Sequence, residues 1–182
     1  MMAQPRQCWR RFANSTRGVA AVEFAMVLPV LAVIFLASID GGRAIAIYMK
    51  VRAATYSVSA IANQYSIIHD ADSQAILCAT STVLAPYSTG PLGITISQVA
   101  IDSNGKATIS WSDTQGGTAR AVGSSITLPT NLDVPSSCLV FGEVKYSYQP
   151  LFGYFGNNTA INLSDNLYTT PRLSPSITRI SP

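Results

Sequence analysis

"RGVAAVEFAMVLPVLAVIFLASID", residues 17–40, is a membrane-grade apolar run with a single carboxylate inside it, Glu23. Placing such a group in hydrocarbon costs roughly 2.5–3.5 kcal/mol on insertion scales, and less near an interface, so a compensating charge is expected close by. Residues 19–39 make 21 positions. At about 1.5 Å per residue they give roughly 31 Å of helix, near the thickness of the hydrocarbon core. Pro29 lies inside the run and predicts a kink, which membranes tolerate when neighbouring groups satisfy the freed carbonyl.

Working outward toward the N-terminus, Arg6, Arg10, Arg11 and Arg17 precede the run, and the first 18 residues contain no acid. From Val19 onward there are 8 Lys+Arg against 9 Asp+Glu, a net of −1, so the formal charge of +3 sits in the leader. Cations before a single span read as a cytoplasmic flank, which places the long C-terminal part outside. With no basic patch downstream, nucleic acid is excluded as a partner. Residues 1–18 thus read as a basic leader ending in glycine rather than as part of a fold.

The cysteines fit an exported chain. Cys8 lies in the leader, while Cys78 and Cys138 lie where thiols are oxidised. A Cys78–Cys138 bridge would close a loop of roughly 60 residues, worth about 4 kcal/mol if unstrained, and two buried free thiols are the alternative. His69 is the only histidine and no Cys-x-x-Cys occurs, so no metal site is expected.

Past Asp40, Gly41 and Gly42 the pattern changes but does not break. Ala44, Ile47, Val51, Ala54, Val58, Ile61, Tyr65 and Ile68 recur at spacings of three and four, with Arg43, Lys50, Arg52 and Gln64 off the stripe. One helix is therefore expected over 19–68, with a membrane span at about 19–39 and an amphipathic extension over 40–68. The stripe packs either on the chain's own C-terminal domain or in a seam with neighbouring helices.

Residues 69–182 read as an exported α+β domain rich in Ser, Thr, Asn, Gly and Pro. Ser73 before "QAILCATSTVLA" suggests a short capped helix ending ahead of Pro86. "GITISQVAI", "DSNG" and "KATISW" form a hairpin around Asn104-Gly105. "SSITLP" and "CLVFGEVKYSYQP" are strand candidates, the latter with Val140, Gly142, Val144, Tyr146 and Tyr148 on one face. "NLYTTPR" suggests a last strand, and "GYFGNNT" a loop. The chain after Arg172 is expected to be only partly ordered.

Catalytic chemistry needs convergent titratable groups, and few are offered. His69 falls at a helix end, where capping explains it. Asp70 and Asp72 suit a helix N-terminus through the dipole. Asp102, Asn104 and Asp113 could pass for a calcium site, but turn chemistry accounts for the first two. No enzyme activity, metal or cofactor is expected.

The specific signal is the spacing around Gly18. A cut after Gly18 would make Val19 the first residue of the mature chain and Glu23 the fifth, one helical turn from the new ammonium group. Glu23 would then belong to a charge pair, its own or a neighbour's, rather than stand isolated.

A basic leader ending in glycine, then glutamate at the fifth position, an aromatic and an apolar helix, is similar to the processing site of type IV prepilins and pseudopilins. More narrowly, Arg17-Gly18, Ala21-Val22-Glu23-Phe24, Leu28-Pro29, Asp40, Gly42 and Arg43 resemble the start of the TadE-like family, minor pseudopilins of tight-adherence (Flp/Tad) pili. "VKYSYQPL" and "TTPR" also resemble that family's C-terminal pattern. The resemblance implies a pilin-like α+β fold with a long N-terminal helix before a small antiparallel sheet. It also implies cleavage by a prepilin peptidase between Gly18 and Val19, an assembly role for Glu23 and Phe24, and contacts with other pilus subunits and the assembly platform. Phe24 stands where the main shaft pilin commonly has tyrosine, and the chain is longer than such pilins, so a minor subunit is implied. Its place would be the bacterial inner membrane as a single-pass protein, N-terminus cytoplasmic and C-terminal domain periplasmic, either retained there or incorporated in an extracellular pilus. The competing expectation is a secreted or anchored envelope binding domain behind a conventional signal sequence, cut near Ala44-Ile45-Ala46. The length of the apolar run and the stripe continuing past that cut weigh against it.

Overall fold

The structure is a computed structural model that describes residues 16–151 and 159–180. The chain divides into two compact units, residues 1–42 and 43–182. The architecture is α+β: a long N-terminal apolar helix, then a small domain built on an antiparallel sheet.

The helix, α1 (Thr16–Ala62), carries Pro29 in its interior. It ends six residues before the stripe does. Asn63, Gln64 and Tyr65 tighten into a turn, Asn63 N–H donating to Ser59 O and Gln64 N–H to Ile61 O. Ile68 is 1% exposed, but it reaches the core from a strand, β1 (Ile67–His69), whose alternation is exposed–buried–exposed. Helical and strand periods both fit an apolar residue three positions past Tyr65, and the β-branched pair Ile67-Ile68 selects the strand.

In the second unit the stripe finds its partner inside the chain. Ile47, Val51, Ala54, Val58 and Ala62 are buried with Ile94, Ile96, Val140, Val144 and Tyr146 of the sheet in one core. Each buried Val or Ile contributes about 1.5–3 kcal/mol relative to exposure. Of the two expected partners for the stripe, the chain's own domain is the one observed. A different row on the helix, Ile45, Met49 and Tyr56, remains exposed.

The sheet has the order β3-β2-β4-β5, all antiparallel, with β2 (Leu92–Ile101), β3 (Ala107–Gln115), β4 (Cys138–Tyr148) and β5 (Ile161–Thr169). The expected hairpin is β2–β3, and Gly105 at φ 80 supplies the left-handed turn residue. Gln98 pairs with Trp111 and Val99 with Ile109, leaving Ser110 as a bulge residue. The bulge puts Trp111 on the helix side and Ile109 on the other. That second face carries a smaller core of Val99, Ile101, Ile109, Leu139 and Phe141, covered by Ile126, Leu128 and Leu132.

On β4, Val140, Gly142, Val144, Tyr146 and Tyr148 share the helix-side face as the alternation predicts, and the four apolar ones lie in the main core. Gly142 sits directly under α1, where a Cβ would lie 2.3 Å from Ser59 Oγ and 3.0 Å from Val58 Cγ1. "SSITLP" is not a strand; only Ser125 bridges, to Thr108. The last sheet strand begins at Ile161, earlier than "NLYTTPR" suggests. The loop "GYFGNNT" lies almost wholly outside the described residues.

The short helix is α2 (Asp70–Thr82), starting three residues before Ser73, with His69 as N-cap. Beyond Arg172 the chain forms β6 (Thr178–Ile180), which pairs parallel with β1. Ile177 is 2% exposed, its N–H donating to Gln98 Oε1 and its carbonyl accepting from Trp111 Nε1.

The expected bridge is absent: Cys78 and Cys138 are both free thiols. α2 buries Ser73, Ile76, Leu77 and Thr80, and Cys78 falls on its solvent side, while Cys138 opens β4 half-buried.

Candidate functional site

The residues singled out around the leader lie at the start of α1. Gly18 and Val19 are already helical, and Val19 and Glu23, four positions apart, share one helix face with about 6 Å of rise between them. Phe24 is one position further round. Glu23 is exposed, as are Val19 at 60% and Phe24 at 62%. Among the described residues Glu23 has no ion-pair partner. Gly18–Ala62 is long and apolar enough to cross a membrane, with a mean hydropathy of 2.6 over its best 18-residue window and none of that window buried in the chain. Gly41 and Gly42 have open space where a Cβ would stand, so packing within the chain does not explain them.

The polar groups of the domain are assembled for structure. His69 N–H donates to Asp72 Oδ2 at 3.0 Å, closing the start of α2. Asp70 is taken up by Arg179, which also donates to Asp113 Oδ2 at 2.8 Å. These bonds, that to Asp113 foremost, raise the Arg179 guanidinium above its ordinary value. Ser73 Oγ donates to Asp113 as well, at 2.7 Å. Asp102 Oδ1 accepts the N–H groups of Asn104 and Lys106, each at 2.8 Å. The three groups of the supposed calcium site are therefore split, Asp102 and Asn104 in a turn and Asp113 in an ion pair. Among the described residues no group of three His, Cys, Asp or Glu side chains could hold a metal.

Sequence reasoning also missed a part-buried pair on the other face of the sheet. Arg120 makes a two-pronged contact with Glu143, Nε to Oε2 at 2.7 Å and Nη2 to Oε1 at 2.8 Å. That hydrogen bonding raises the Arg120 guanidinium despite partial burial. Arg120 also lies 5.1 Å above the Phe141 ring, which stacks on Tyr168 at 4.2 Å. The pair ties the loop after β3 to the second sheet face, beside a groove of about 540 Å³ lined in part by Thr95, Lys145, Ser147 and Ser164. The odd-numbered alternation along β4 places Glu143 there; nothing in the sequence marks Arg120 as its partner.

The arrangement defines a class: an α+β domain carried on a long apolar helix with one carboxylate near its start. Residues 18–59 match the family model described as TadE-like protein. The match covers less than a quarter of the 182 residues, begins at Gly18 and takes in every motif of the first 43 residues on the helix side of Arg17. It is the family the residues themselves suggest, and it points to a protein associated with the Tad pilus. No curated protein and no solved structure matches the chain.

Proposed function

We propose that the chain is a minor pseudopilin taking part in assembly of a tight-adherence pilus, matured by a prepilin peptidase that cuts between Gly18 and Val19. The observation that carries this reading is the TadE-like segment itself, which opens at Gly18 and holds Glu23 at the fifth position after it. Cleavage would create an ammonium at Val19, at the positive end of the α1 dipole, where a charge of that sign is unfavourable. Glu23, one turn on, offsets it within the chain or for an adjacent subunit, and so its own presence in the apolar run is compensated. The helix anchors the protein in the bacterial inner membrane, the arginine leader holds the N-terminus in the cytoplasm, and the sheet domain stands in the periplasm. Its partners are the peptidase, other pilus subunits and the assembly platform. TadE-like proteins are not known as enzymes, and the domain is read as a structural and interaction module.

Two variants test the parts separately. Gly18→Leu places a branched side chain at the residue before the cut and should leave the precursor unprocessed in the membrane. Glu23→Ala should still insert, because it removes a charge from the span, and should lose co-purification of other pilus subunits at matched protein level. Normal maturation of Gly18→Leu would overturn the processing site, and undiminished piliation with Glu23→Ala would overturn the role of the carboxylate.

A further inference from the structure

The two edges of the four-stranded sheet are treated differently. At β3 the chain covers its own edge: Gly123 N–H donates to Ile109 O at 2.8 Å, Ile109 N–H to Ser124 O at 3.0 Å and Ile126 N–H to Ala107 O at 3.1 Å. At the opposite edge β5 is the terminal strand. Its pairing with β4 runs without a register shift from Ile161 to Thr169, and among the described residues no bridge reaches its outer side. β5 contains no proline, no lysine and no bulge, the devices that usually blunt an edge.

One device is present, and it is selective. Asp165 is opposite Val144, between Leu163 opposite Tyr146 and Leu167 opposite Gly142, so it points to the helix-side face. It is half-buried and, among the described residues, has no ion-pair partner. An inward charge of this kind opposes pairing with a second copy. Matched-face antiparallel pairing of two β5 strands would set Asp165 against another Asp165, or against Leu163 or Leu167, and like charges directly opposite are destabilising. The same carboxylate favours a strand that brings a cation to that position.

We infer that the free edge of β5 binds an extended segment of a different protein as a fifth strand, with a lysine or arginine opposite Asp165 and apolar residues two positions to either side, opposite Leu163 and Leu167. Main-chain hydrogen bonds supply the attachment and the apolar–cation–apolar alternation supplies the selection. The polar side chains of Asn162, Ser164 and Asn166 face the other side and set no demand for apolar partners there. This surface is independent of the leader and of the events at Gly18.

The test uses the full chain in detergent micelles and fluorescein-labelled heptapeptides of sequence Thr-Ile-Thr-Lys-Thr-Ile-Thr and its twin with a central Glu, read by fluorescence anisotropy against protein-free micelles. The lysine peptide should bind about fivefold more tightly than the glutamate peptide. Asp165→Asn, nearly isosteric at a half-exposed position, should erase that preference while leaving the thermal transition in place. N-methylation of alternate amides along the pairing edge of the peptide should abolish binding. The inference is overturned by binding of neither peptide, by a lysine preference that survives Asp165→Asn, or by binding that survives N-methylation of the pairing edge.

Discussion

Replacing Gly142 by alanine puts a methyl group into the tightest contact between α1 and the sheet. Its carbon would stand 2.3 Å from Ser59 Oγ, 3.0 Å from Val58 Cγ1 and 3.6 Å from Ser59 Cβ. The first distance is impossible and the second is tight, so the Ser59 hydroxyl must swing aside and Val58 must give by a few tenths of an ångström, at about 1–3 kcal/mol for an overpacked core. Relief of the glycine entropy cost returns about 0.5–1 kcal/mol, leaving a net loss of about 1–2 kcal/mol. For a unit of this size that lowers Tm by about 3–8 °C. Ser59 itself is 0% exposed and, among the described residues, its hydroxyl has no hydrogen-bond partner. Ser59→Ala alone should therefore be neutral or stabilising by about 1 kcal/mol. It also removes the atom at 2.3 Å, so the double variant should recover much of the Gly142→Ala loss, with a coupling of about 1 kcal/mol. Urea and thermal unfolding of the full chain in micelles, followed by near-ultraviolet circular dichroism, measures all four corners of the cycle. Additivity of the two changes within about 0.3–0.5 kcal/mol, or a stabilised Gly142→Ala, would refute the close helix–sheet contact.

Other parts of the domain can be probed in the same way. Asp72→Ala removes the acceptor for His69 N–H at the start of α2 and should cost about 1 kcal/mol by urea denaturation, with Asp72→Asn costing less. Cys78 and Cys138 should both alkylate in unreduced, denatured protein; in the native state Cys78 should react first, because burial raises the Cys138 thiol and lowers its thiolate fraction. The same shift means the folded state holds the Cys138 proton more tightly than the unfolded one, so this contribution is intact below the ordinary thiol pKa and is lost as pH rises through the raised value, which a pH series of unfolding curves reads. Ile177→Ala opens the core beneath the C-terminal segment and should cost about 2–4 kcal/mol in the same unfolding assay, with Trp111 becoming more accessible to a fluorescence quencher.

The parts of the fold that could be read in advance are those where one period dominates. Leu92 to Ile101 and Ala107 to Gln115 alternate around a turn that needs Gly105, and β4 alternates cleanly enough to fix which residues face the helix. The stripe from Ile47 to Val58 likewise identified the buried side of α1. What failed did so for want of pattern. β1 and β6 are three residues each, too short for a period, and become strands only because tertiary contacts bring them together. β5 carries Asn162, Ser164, Asp165 and Asn166, residues of low strand propensity that hid the alternation of Leu163 and Leu167. The supposed disulfide rested on cysteine count and compartment, neither of which fixes the direction in which Cys78 leaves its helix. Long-range ion pairs such as Arg120–Glu143 and Arg179–Asp113 carry no local signature at all. At the N-terminus the situation is reversed: Gly18, Val19, Glu23 and Phe24 are conspicuous in the sequence, and the role proposed for them rests on a covalent cut and on partners that a single chain does not contain.

Maturation at Gly18 can be read from the intact mass of the protein extracted from membranes of cells with and without the prepilin peptidase. A mature chain beginning at Val19 is expected when the peptidase is present, and a precursor retaining residues 1–18 when it is absent. A mature chain that begins elsewhere, near Ile47 for instance, or one that loses the leader without the peptidase, would contradict it.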